Sequence, residues 1–155
     1  MPSSSSQSWT ALVVVRVAIG WSLLTRGWGA VRGAGPDADV IEDRVREVSE
    51  GSGGLIGWWG RTLVLENPDA AALLLGWSAT LAGLALFAGA FTRIAGWLAI
   101  AVVAHVWIFA APHWAPTCLL ATACAAACIV GDAGQRLGLD PWIRRARGRE
   151  GSFLD

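Results

Sequence analysis

The chain has 155 residues, with 12 basic against 12 acidic side chains, 54% hydrophobic residues and 15% charged ones. Soluble domains carry about 25% charged residues, and none of this size could hide the stretch from Ile94 to Gly131, which holds no Asp, Glu, Lys or Arg. Soluble, disordered, disulfide-stapled secreted and polybasic nucleic-acid-binding classes are excluded, which leaves an integral membrane protein.

A bilayer core about 30 Å thick needs about 20 apolar residues in a helix. The first predicted span runs from about Trp9 to Val31 and includes Arg16 and Arg26. Its leader, MPSSSSQS, has no basic segment, so it reads as a retained helix and not as a signal peptide. The loop 32–69 follows. In it, Ile41, Val45 and Val48 at helical spacing predict a short amphipathic helix that Gly51-Ser52-Gly53-Gly54 ends. Leu55 to Leu65, with Trp58 and Trp59, is too short to span and suits a membrane surface. The loop therefore reads as a lid over one end of the bundle.

The second span is Ala70–Thr92, opened by Asn67-Pro68-Asp69: a capping side chain, a Pro suited to the first turn and an acid at the helix N-terminus. The uncharged run beyond Arg93 must hold two spans, because one helix of that length would be about 57 Å long. Two prolines, Pro112 and Pro116, divide it into Ile94–Ala111 and Trp114–Gly131. The expected fold is all-α, a single membrane domain: a four-helix bundle with spans at about 9–31, 70–92, 94–111 and 114–131, an outer amphipathic and interfacial loop, and a tail at 132–155. Six Arg flank the side of the termini (93, 136, 144, 145, 147, 149) and four lie in the loop. The positive-inside rule then predicts a multi-pass protein of the cell (inner) membrane with cytoplasmic N- and C-termini.

Few residues in the spans carry chemistry. Arg16 lies about 10 Å past Trp9 by helical rise. It either faces the bundle interior and marks a site or snorkels to the headgroups. With no Asp or Glu inside the spans, its partners would come from Ser78, Thr80, Ser22, Thr25, His105, helix carbonyls or a ligand. An interior Arg16 should point to the Ser78–Thr80 stretch or to His105. Arg26 and Arg32 should reach headgroups. His105, in the third span, could relay a proton, bond a quinone carbonyl or ligate haem; the leading reading is a hydrogen bond to a neighbouring helix. Cys118, Cys124 and Cys128 sit among Ala and Thr and read as packing residues. No metal-ligand pattern and no nucleophile triad spacing is visible, so no metal is expected.

Arg16-x-x-x-Gly20 with Gly27, Asn67-Pro68, the stretch Leu81 to Arg93 with its Gly-x-x-Leu-x-x-Gly-x-x-Thr-Arg pattern, and Asp132 to Asp140 together resemble the DoxX/DoxD family of small four-helix membrane proteins. That family includes the small subunit of thiosulfate:quinone oxidoreductase. The resemblance implies a membrane subunit linked to quinone-dependent redox chemistry of sulfur compounds or thiols. It also implies no covalently bound cofactor, a redox centre that is either a bound quinone or carried by a partner, and partners in the lipid bilayer and in other membrane or peripheral subunits. Arg93 of the Thr-Arg pair joins Arg16, His105 and Thr80 as a candidate functional residue. Two family features are missing: the Glu often found in the second span is replaced by Trp77-Ser78-Ala79-Thr80, and a Lys past the first span's glycine by Gly29-Ala30-Val31. The alternative is therefore a non-catalytic accessory or anchoring subunit of a larger membrane complex. A small-solute transporter ranks behind both, since no inverted repeat is visible.

Overall fold

A computed structural model describes residues 4–33, 38–109, 115–131 and 138–142. The described residues are helical and hold no strand. In chain order they form α1 (Ser4–Val31), α2 (Ala38–Gly51), α3 (Gly54–Trp59) with a π-helical continuation (Gly60–Leu65), α4 (Pro68–Ala88), α5 (Thr92–Phe109) and α6 (Ala115–Val130). Three stretches are long and apolar enough to cross a membrane: Thr10–Val31, Pro68–Ala88 and Thr92–Phe109. The fourth expected span is α6, which is apolar but shorter.

Small residues set the packing. α1 and α4 run antiparallel with their backbones in contact. A Cβ on Gly20 would lie 2.7 Å from the Phe87 nitrogen and 3.0 Å from the Gly83 oxygen. A Cβ on Gly27 would lie 2.6 Å from the Thr80 nitrogen and 2.7 Å from the Gly76 oxygen. Only glycine permits such an approach, the usual device of membrane helices that lack a hydrophobic drive to associate. Around this crossing the core holds Ile19, Leu23, Ala79, Ala82, Leu86, Ala95, Ala99, Val102, Val103, Cys118 and Ala125. Gly96 of α5 meets the Ile129 side chain of α6, and Gly131 meets Leu12 of α1.

The α4–α5 turn falls earlier than expected. Ala88 ends α4, Gly89 is left-handed at φ 67°, and Thr92 already belongs to α5. Gly89 N–H donates to the Leu86 oxygen (3.2 Å) and Ala90 N–H to the Ala85 oxygen (2.9 Å), a Schellman ending that only a glycine accepts readily. Phe91 also has a positive φ, 49°. At the start of α4, Pro68 and Asp69 sit as expected, but Asn67 makes no side-chain cap; its carbonyl accepts from Ala71 N–H at 3.0 Å.

The expected amphipathic helix is α2, and it forms the lid. Val45 is fully buried against Val64 and Phe109, with Val48, Leu65 and Ala71 around them. Phe109 ends α5, so this cluster seats the lid on the bundle. α3 leaves Leu55, Ile56, Trp58 and Trp59 exposed, a surface suited to the membrane interface. At the same end Arg32 does not extend freely: its guanidinium lies 4.9 Å over the Trp28 ring, which packs edge-on to Trp77.

Candidate functional site

The expected site residues separate into two ends and a middle. At the turn end stands Arg16, only 3% exposed and so turned away from lipid. Its guanidinium presses on the α4–α5 turn: a Cβ on Gly89 would lie 2.7 Å from Nη1 and 2.9 Å from Cζ. The expectation that Arg16 points to Ser78–Thr80 or His105 is overturned, and helix register gives the reason. With Gly20 opposite Phe87 and Gly27 opposite Thr80, one turn back along α1 brings Arg16 level with the turn that follows Phe87. Thr80 is then 11 positions distant in α1 register, about 16 Å.

An acid does reach Arg16, although none lies in the spans. Asp140, beyond α6, folds back onto the turn, where Leu139 N–H donates to the Ala88 oxygen (3.3 Å) and Asp140 N–H to the Gly89 oxygen (3.1 Å). The Asp140 carboxylate accepts from Phe91 N–H (2.5 Å), Thr92 N–H (3.3 Å) and the Thr92 hydroxyl (2.9 Å). Asp140 thus caps α5 from a distant part of the chain, placing negative charge at a helix N-terminus and bonding the strained Phe91 peptide. Arg16 and Asp140 meet at Gly89: the guanidinium lies where a Gly89 Cβ would sit, and Asp140 N–H bonds the Gly89 oxygen. Arg93, in the first turn of α5, stands at this same end. Linear spacing does not mark Asp140, because Thr92 reads as part of the link between spans and the cap comes from 48 positions away.

In the middle, Thr80 is buried and its hydroxyl bonds the Gly76 carbonyl of its own helix at 2.8 Å. Facing Gly27, it belongs to the α1–α4 crossing. Cys118 and Cys128 are buried thiols and Cys124 is half-buried; all three are free.

At the lid end, His105 is half-buried on α5. Its ring lies 4.9 Å from the Phe109 ring and 6.3 Å from Trp59 of the lid, edge-on. The expected bond to a neighbouring helix is thus replaced by two aromatic contacts, one of them across to the lid. This places an imidazole against two aromatic rings, one on its own helix and one on the lid. Phe109, four positions on in the same helix, is legible from spacing, whereas Trp59 is far from His105 in the chain and is not. Among the described residues no group of three or more His, Cys, Asp or Glu could hold a metal ion.

No match was found among curated proteins or among solved structures. A family model described as DoxX matches residues 11–113, well over half of the chain and covering α1 to α5 with the lid. The chain belongs to the DoxX family of membrane proteins.

Proposed function

We propose that this DoxX-family membrane protein serves quinone-dependent redox chemistry of sulfur compounds or thiols, and that the quinone ring is met at the lid end by His105. The supporting observation is the position of that imidazole, between Phe109 of its own helix and Trp59 of the lid. A bound quinone supplies a two-electron, two-proton acceptor with flat apolar faces and polar edges. Phe109 and Trp59 offer ring faces and edges to such a group. The imidazole can donate a hydrogen bond to a carbonyl edge and pass a proton to it. Exposed Trp107 and Ile108 on α5, with Leu55 and Ile56 on α3, form an apolar approach from the bilayer. The electrons come from the sulfur chemistry of a partner subunit. Purified into native-lipid nanodiscs, the chain should retain extractable quinone above a protein-free blank, and His105→Phe should lose it. Equal quinone in both would refute the reading.

The anchoring alternative is supported by a different observation: the part-buried Asp140 caps the start of α5, and the buried Arg16 lies against Gly89 in the same turn. A copurifying protein subunit without quinone would favour it.

Orientation belongs to the same proposal. α1 rises from the turn end to the lid end, and Asp140 returns to the turn end, so the arginine count supports a lid that faces outside. A cysteine at Ser52 should react with an impermeant thiol reagent in intact cells, and one at Ser152 should not. The opposite labelling pattern would invert the topology.

A further inference from the structure

α3 and its π-helical continuation are built inside out for a segment that lies in water. Their inner face carries Gly57, Gly60 and Val64, all buried, whereas Leu55, Ile56, Trp58, Trp59 and Leu63 stand exposed, Leu55 at 80%. The close fit is on the glycine side. A Cβ on Gly57 would lie 3.0 Å from the Ser49 oxygen of α2, and Phe109 Cε1 is 3.4 Å from the Cβ position of Gly60. A surface helix in water turns its large apolar residues to the packed face and its polar ones outward. A contiguous apolar patch of the opposite kind marks a surface that something else covers. Charge placement agrees. From Gly51 to Leu65 the only ionisable side chain is Arg61, and its Nη1 donates to the Ser49 carbonyl at 3.3 Å. That carbonyl belongs to the last turn of α2, where helix carbonyls lack partners and attract a cation. The other charges of the lid are on α2, where Asp43, Arg46, Glu47 and Glu50 are exposed.

We propose that Leu55 to Leu63 is an interfacial membrane anchor, so that the lid has two docking partners. It meets the bundle and α2 through Gly57, Gly60 and Val64, and the lipid leaflet beside it through its five large exposed side chains. The occupant of this apolar face is the boundary between headgroups and acyl chains, and three observations select it. The face is continuous with the lipid-facing surface of the bundle, because Trp59 packs edge-on to His105 of α5, whose last turn exposes Trp107 and Ile108. Two Trp among five large side chains suit that boundary, where an indole meets apolar chains and water at once. Arg61 flanks the apolar face and can hold its charge at headgroup depth while its stem lies along apolar surface. The segment then lies in the plane of the membrane and does not span it, with α2 as the wet side of the lid. No part of this proposal depends on the quinone reading.

The test uses the full chain in nanodiscs, carrying Leu55→Cys or Leu63→Cys labelled with the fluorophore NBD. The unchanged chain, whose cysteines are buried or half-buried, gives the labelling blank. Glu50→Cys on α2 is the wet reference. Quenching by phospholipids with a doxyl group high on the acyl chain is compared with quenching by a water-soluble nickel chelate. Labels at the Leu55 and Leu63 positions should be quenched several times more by the lipid than by the chelate, and the label at the Glu50 position should show the reverse. Both leucines are exposed, so neither replacement should lower the melting temperature. Labels at the two leucine positions that the chelate quenches as strongly as the reference would overturn the proposal, because the face would then lie in water. Labels shielded from both quenchers would also overturn it, because a second copy or another protein would then cover the face.

Discussion

Gly83→Ala is expected to destabilise the bundle by about 1–3 kcal/mol, and Gly83→Leu by more, because an added side chain must be forced into a packed seam. The Cβ would meet the backbone nitrogen of Leu24, and would lie 2.7 Å from the Gly20 oxygen and 2.8 Å from the Leu24 Cα. These are backbone atoms of α1, which cannot swing aside as a side-chain tip can, so the two helices would have to separate along their whole crossing. Gly27→Ala should behave alike, since its Cβ would lie 2.6 Å from the Thr80 nitrogen. Gly29 provides the contrast. It lies in the same helix with nothing within 4 Å of its added Cβ, so Gly29→Ala should be neutral or stabilising by up to about 1 kcal/mol through helix propensity. Thermal unfolding in one detergent, with membrane protein levels measured in parallel, separates the three. Equal melting of Gly83→Ala and Gly29→Ala would refute the close crossing.

Asp140→Ala should remove about 2–3 kcal/mol, through a lost helix cap and lost hydrogen bonds to a charged acceptor. Three donors lose their acceptor at once: Phe91 N–H, Thr92 N–H and the Thr92 hydroxyl. Asp140 is only part-buried, so solvent softens the loss of its charge beside Arg16. Asp140→Asn keeps one carbonyl acceptor but no charge and should fall between the two. The electrostatic share is measured by combining Asp140→Ala with Arg16→Met. If the groups act together, the double variant loses less than the sum of the singles. Strict additivity would mean that Asp140 only caps the helix.

Much of this arrangement is legible in the sequence because bilayer length and charge placement are strong constraints. The spans, the amphipathic helix around Val45 and Val48, and the family follow from hydropathy, periodicity and glycine-weighted motifs. Turn geometry was less accessible. Thr92-Arg93 looks like a hairpin link because it carries the only charge there, yet Gly89 ends α4 through its left-handed conformation, and Thr92 starts α5 under the Asp140 cap. The sequence leaves Arg16 open between the bundle interior and the headgroups; it is buried, and it lies against the α4–α5 turn rather than along the spans. Depth measured from the start of α1 ignores the register with α4, which is set by Gly20 and Gly27 and puts Arg16 at the turn. Asp140 escapes a linear reading because its role depends on a contact made 48 positions away, with Thr92.

The central claim, that a quinone ring is held between the lid and α5, is tested most directly by labelling. Native-lipid membranes carrying the chain are illuminated with a photoreactive quinone, and the adducts are mapped by peptide mass spectrometry. The expected adducts lie on the peptides holding Trp59 and His105 to Phe109, suppressed by excess decylubiquinone and by His105→Phe. Adducts at Arg16, Gly89 or Cys128, or a label spread along the lipid-facing residues of α1 and α4 that excess quinone does not suppress, would contradict it.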